Sequence, residues 1–195
     1  MLLQNRLELI LPQGFQFTDE AFLEFCEMNR DIQIERTKEQ KIIIMTPANS
    51  ETGGKSGKVF GYLFIWNLQN QYGETFDSST GFTLSDGSVF SPDASIIAFD
   101  RWNRLTKDQK RKFSPICPEF IVELKSPSDS LSVLQTKMQN WLANGVQLGW
   151  LIDPDAEQVY IYRPGKAVEK VSNFDDKLSG EAILQGFELD LTILR

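Results

Sequence analysis

A chain of 195 residues with 41% hydrophobic content is long enough to bury one sizeable core, and no shift in composition divides it. The absence of histidine excludes imidazole acid–base catalysis, Ser-His-Asp and Cys-His nucleophile systems and the common zinc sites, which leaves carboxylates, lysine, hydroxyls or an oxygen-bound hard metal. A formal net charge of −7 excludes a general cationic footprint for nucleic acid, so any such contact has to be local.

The N-terminal stretch "MLLQNRLELILPQGF" lacks the charged-then-apolar layout of a signal peptide, and no apolar run approaches the ~20 residues of a membrane span. The expectation is a complete cytoplasmic chain, folded as a single domain over 1–195, with no membrane partner. From Thr18 to Arg30, "TDEAFLEFCEMNR" begins with a capping residue and two acids and spaces Phe22, Phe25 and Cys26 as one face of a short helix. Cys26 and Cys117 sit in unlike contexts without metal-ligand spacing and are expected as buried free thiols. "IQIERT" and "KIIIMTP", parted by "KEQ", predict a hairpin. "KSGKVFGYLFIWNLQNQYG" is apolar nearly all round, which predicts a helix buried on two sides, against the core and against a partner subunit.

"TGFTLSDGSVFSPDASIIAFD" supplies three short β-type runs with Asp86-Gly87 as a tight turn, expected as a meander. The basic segment Arg101 to Lys112 leads to a strand, "EFIVELK", and serves either as a local phosphate contact or as a solvated connecting helix. A helix is expected from about Ser130 to Asn144, stopped by Gly145, and then a second hairpin from "LGWLID" and "QVYIYRP". The tail from Val171 carries little signal. This order predicts a mixed α/β (α+β) fold, a mixed central β-sheet flanked by helices, rather than a regularly alternating parallel sheet.

Within "EFIVELK", Glu123 and Lys125 lie two apart and project to one face of the strand. An ordinary ion pair at a strand end gives the same pattern. Asp93 changes the balance, because Pro92 marks the start of an earlier strand and leaves Asp93 at its mouth, where it can meet Glu123 on a neighbouring strand. Two carboxylates held close repel, and a hard divalent cation such as Mg²⁺ between them resolves the repulsion. Lys125 would then orient a water or neutralise phosphate charge. Lys137, at the edge of the buried stripe of its helix, either reaches toward the strand ends or extends into solvent.

The order Pro92-Asp93 then Glu123-x-Lys125 resembles the PD-(D/E)XK nuclease superfamily. "TPANSETG", "FDSSTGFTL", "SPDAS", "PICPEFIVELKSPSDSL", "LQTKMQNWLANG" and "GWLIDP" are similar to segments of a bacterial restriction-endonuclease-like family of unassigned biological role. The resemblance implies a restriction-endonuclease-like core and Mg²⁺-dependent hydrolysis of nucleic acid, DNA first, with Mn²⁺ as substitute. It also implies Asp93 and Glu123 as metal ligands, joined by Glu51 from the first core helix, with Lys125 as the catalytic lysine or Lys137 in its place. A homodimer fits double-strand cleavage. Two alternatives remain at this stage: a non-catalytic nucleic-acid-binding or interaction protein on the same fold, and a nucleotide-binding loop at "NSETGGKSG", where Gly54-Lys55-Ser56 resembles the end of a P-loop.

Overall fold

The computed structural model describes residues 6–195. The first five residues of the N-terminal stretch lie outside the described residues. In chain order the elements begin with β1 (Arg6–Leu9), α1 (Asp19–Met28), β2 (Gln33–Arg36), β3 (Ile42–Met45) and α2 (Ser50–Asn70). There follow β4 (Gly73–Asp77), β5 (Phe82–Thr83), β6 (Val89–Phe90), β7 (Ala94–Ala98), α3 (Phe99–Trp102) and α4 (Lys107–Lys110). The rest is β8 (Phe120–Leu124), α5 (Leu131–Ala143), β9 (Leu148–Asp153), β10 (Gln158–Tyr162), β11 (Glu169–Val171), β12 (Lys177–Ser179) and β13 (Glu188–Asp190), with a closing 3-10 turn at Leu191–Leu194.

The central sheet has the order β11-β10-β9-β8-β7-β4. Strands β8 and β9 run parallel, joined by α5 as crossover, and the other pairs are antiparallel. It is the mixed sheet expected from the element order. Every residue of β8 and of β9 is buried, because helices or loops cover both faces. On one face Val59 and Leu63 of α2 pack against Phe120, Val122, Trp150 and Ile152. On the other, Leu134, Met138 and Trp141 of α5 pack against Ile121 and Leu151, together with Phe90 of β6. Each such side chain contributes roughly 1.5–3 kcal/mol by leaving water.

A second sheet, β1-β3-β2-β6-β5, carries α1 over Ile34, Ile42 and Val89 through Phe22. The predicted hairpin is β2–β3, and α1 starts after Thr18, whose hydroxyl accepts the Ala21 N–H. Helix α5 ends as expected at Gly145, which has φ +120°. Cys26 is half-buried and Cys117 buried, both free, and burial pushes their thiols up to about 11 and about 12.

Four expectations change. The three runs from Thr80 to Asp100 do not form a meander. β5 and β6 pair across the Gly87 turn (φ +81°), whereas β7 joins the central sheet between β8 and β4, a strand the sequence reading passed over. Ser91-Pro92-Asp93 is therefore the passage from one sheet to the other. Helix α2 begins earlier, after the Asn49 cap, and buries one stripe of Val59, Leu63 and Asn67, while Phe64, Ile65 and Leu68 are exposed opposite. Gly54-Lys55-Ser56 lies inside α2, so its amides are committed to the helix and no phosphate-cradling loop exists there. Finally, the tail is part of the core: Phe174, Phe187, Leu189, Leu191 and Leu194 are buried on the α2 side, with Phe187 stacked on Trp150 at 5.7 Å and 13°.

Candidate active site

Register brings the two predicted acids together. β7 and β8 pair antiparallel with Ala94 opposite Val122, and one step further along the same register sets Asp93 opposite Glu123. Asp93 Oδ2 accepts the backbone N–H of Leu124 at 2.7 Å, which ties the mouth of β7 to the end of β8. Glu123 points to the α5 side, where its Oε1 accepts Trp141 Nε1–H at 2.9 Å and lies 2.8 Å from Lys137 Nζ.

Lys137 does not extend into solvent. It is buried, 6% exposed, with its ammonium between Glu123 and Glu35, 2.8 Å from an oxygen of each, and it donates to the Ser91 carbonyl at 3.1 Å. Glu35 comes from β2. Strand alternation turns Ile34 and Arg36 to the α1 side and Glu35 to the central sheet. Arg36 donates to the carbonyls of Phe17, Thr18 and Gly87 and pairs with Asp19. The sequence reading missed Glu35, although "IQIER" offered the same signal as "ELK": a charged residue inside a β-type run.

Lys125 follows a different course from Glu123. Its backbone N–H continues the ladder to Ile152 O at 2.8 Å, and its half-buried side chain puts Nζ 3.5 Å from Asp153 Oδ2 at the end of β9. It lines a shallow pocket between the ends of β8 and β9 and the first turns of α2, together with Glu51, Lys55 and Asp155. Glu51 is thus placed across that pocket, not in the buried cluster. Its carboxylate is 73% exposed and is held 2.8 Å from Lys55, which keeps its pKa below the ordinary glutamate value.

The cations from Arg101 to Lys112 are spread over two short helices and the turns that follow them: Arg101 is in α3, Lys107 and Lys110 are in α4, and Arg104, Arg111 and Lys112 lie outside both. Arg101 pairs with Glu119 at 2.6 Å, Arg104 with Asp100 at 3.4 Å and Lys112 with Asp108 at 2.9 Å, while Lys110 lies over the Trp102 ring. Much of that local positive charge is balanced within the chain.

Electrostatics mark the Asp93–Glu123 pair as strained. Burial, added to by the negative charge of Asp93 and Glu35, raises Glu123 to about 7, against the lowering effect of Lys137. Burial raises Asp93 to about 6, although the Leu124 N–H and Lys137 pull it down. Lys137 is raised above its ordinary value, because attraction to Glu123 and Glu35 overcomes its desolvation. Ionised, Asp93, Glu123 and Glu35 face the one ammonium of Lys137 and leave two negative charges, the amount a divalent cation supplies. Among the described residues no group of three or more His, Cys, Asp or Glu is gathered to hold a metal. Two carboxylates still suit Mg²⁺, which keeps several waters and completes its shell with substrate oxygens.

A mixed sheet with both faces covered is the fold of restriction-endonuclease-like proteins. A putative nuclease belonging to DUF820 from Anabaena variabilis ATCC 29413 has a similar structure, with a TM-score of 0.70 over 83% of this chain and 88% of that one. At 22% identity, that likeness shows a common fold. The chain belongs to the Uma2 family, described as "Putative restriction endonuclease", whose model matches residues 19–192. No curated protein matches the chain. Among the described residues no helix is long and apolar enough to cross a membrane.

Proposed function

We propose that the protein is a metal-dependent nuclease that hydrolyses phosphodiester bonds of nucleic acid, DNA first, with Mg²⁺ or Mn²⁺ held by Asp93 and Glu123. The observation that carries this reading is the β7–β8 register, which sets two carboxylates side by side at the cost of raising both. Bound there, the ion would supply charge neutralisation at phosphorus and acidify a water.

The chain's own residues divide the remaining work. An ammonium has three donors, and those of Lys137 face Glu35, Glu123 and Ser91 O, so it holds Glu123 in place and has none left for a phosphate. Its raised pKa keeps it cationic, which removes it as a general base. Lys125 is the lysine with access to substrate. Its longer 3.5 Å contact to Asp153 leaves the amine able to turn toward a scissile phosphate and stabilise charge developing there. The exposed Phe64, Ile65 and Leu68 on α2 support pairing of two copies, which would present two sites to a duplex.

The deciding experiment is cleavage of labelled single- and double-stranded DNA and RNA in Mg²⁺, Mn²⁺ or EDTA by wild type, Asp93→Ala, Glu123→Ala and Lys125→Ala. Cleavage that needs the metal and is lost in all three variants supports the reading. Metal-independent cleavage, or equal cleavage by every variant, refutes it, and sequence-specific binding that ignores EDTA and the acids points to a non-catalytic protein.

A further inference from the structure

We infer that Glu35 is a positioning residue of the site, which through one carboxylate oxygen fixes both the Lys137 ammonium and the backbone that sets Asp93. Glu35 Oε1 accepts the Ser91 N–H at 2.9 Å and lies 2.8 Å from Lys137 Nζ. Lys137 in turn donates to the Ser91 carbonyl at 3.1 Å. The contacts close a ring: Ser91 N–H to Glu35, Glu35 to Lys137, Lys137 to Ser91 C=O. Both backbone polar groups of Ser91 are thereby held by ionic partners.

Ser91 stands two residues before Asp93, and the residue between them is Pro92, whose ring restricts φ. Fixing Ser91 therefore limits where the Asp93 carboxylate can lie. On the other side the ring ends on Glu123 through Lys137. One β2 side chain, 0% exposed, thus links the two acids proposed to hold the metal, although it comes from the other sheet. A neutral amide at position 35 keeps the shape but offers Lys137 no charge, and a buried ammonium depends on charge compensation.

The inference rests on the proposed function for its Mn²⁺ and catalytic arms, and the spectral arm stands without it. The test compares wild type, Glu35→Gln and Glu35→Asp by three readouts: the ¹⁵N signals of the Lys137 ammonium and of the Ser91 and Asp93 amides in EDTA, Mn²⁺ affinity by calorimetry, and cleavage kinetics in Mg²⁺. In Glu35→Gln we expect the slowly exchanging Lys137 signal to be lost, the Ser91 and Asp93 amides to shift, and Mn²⁺ to bind at least tenfold more weakly. kcat falls tenfold or more with KM within threefold, and Glu35→Asp recovers part of each change. If Glu35→Gln does not fold, Glu35→Asp decides alone, since the shorter acid should shift the same signals and weaken Mn²⁺. Unchanged Lys137 and Asp93 signals with Mn²⁺ affinity within twofold of wild type overturn the inference. A wild type that cleaves nothing, with the spectral and Mn²⁺ effects intact, refutes the nuclease reading and leaves Glu35 in its role.

Discussion

Lys137 Nζ lies 2.8 Å from Glu123 Oε1 across the interior between α5 and β8, and their side chains are 6% and 5% exposed. A buried pair of this kind gives little net stability over an apolar substitute, but removing one partner leaves an uncompensated charge. Lys137→Met strands Glu123 and Glu35 together. Urea unfolding should show a loss of about 3–5 kcal/mol. Lys125→Met breaks a longer contact, 3.5 Å to Asp153, and leaves that buried carboxylate without its partner, so it should cost less than Lys137→Met, about 1–3 kcal/mol, while abolishing cleavage. The two lysines separate by stability, not by activity.

The raised acids set a pH dependence in metal-free protein. Asp93 moves from 3.8 to about 6 and Glu123 from 4.5 to about 7, so between these values the folded state holds more protons than the unfolded one. Their contribution is full below about pH 4 and is lost as pH climbs through about 7. Each shift corresponds to about 3 kcal/mol at most. Wild type in EDTA should therefore lose stability from pH 4 to 7.5 relative to Asp93→Asn/Glu123→Gln, as read by urea midpoints. Saturating Mn²⁺ should cancel the difference, because a bound cation favours the ionised carboxylates.

Phe187 tests the tail. It stacks on Trp150 and meets Phe120 edge-on at 5.9 Å, fully inside the α2-side core. Phe187→Ala should cost about 3–5 kcal/mol by cavity formation. A loss under ~1 kcal/mol in denaturant unfolding would mean that the tail does not seal this face.

The exposed stripe of α2 tests association. Ile65→Asp and Leu68→Asp alter side chains that are each 57% exposed, so the fold should keep its stability within about 0.5 kcal/mol. Sedimentation velocity should show a wild-type dimer converted to monomer. A wild type that is monomeric at micromolar concentration would remove the pairing proposed for this face.

Much of the scaffold was legible because its signals are local. The Thr18 cap, the β2–β3 hairpin, the α5 stripe and its Gly145 stop each depend on neighbours within a few residues. The failures were non-local. "GETFD" has a glycine, two acids and a half-buried face, a weak strand pattern that becomes a strand by pairing with β7. Gly73 sits so close to the Ile97 carbonyl that a Cβ would be 2.0 Å from it. The tail reads as polar because its buried residues are isolated between charged ones, and they find their partners only on the finished sheet.

The sequence by itself set Asp93 and Glu123 at neighbouring strand ends of a mixed sheet. Pro92 announces the start of a strand, alternation sends Glu123 to one face, and both are rules of backbone geometry that act over two or three residues. What only the tertiary structure decided is which lysine serves which acid. Lys125 shares the strand of Glu123 yet turns to Asp153, whereas Lys137 reaches Glu123 and meets Glu35 from the second sheet. Glu35 and Ser91 are 56 residues apart, Lys137 and Ser91 46. No local period encodes such meetings, because buried charges pair according to how two sheets and a helix pack, and that packing is set by the whole core.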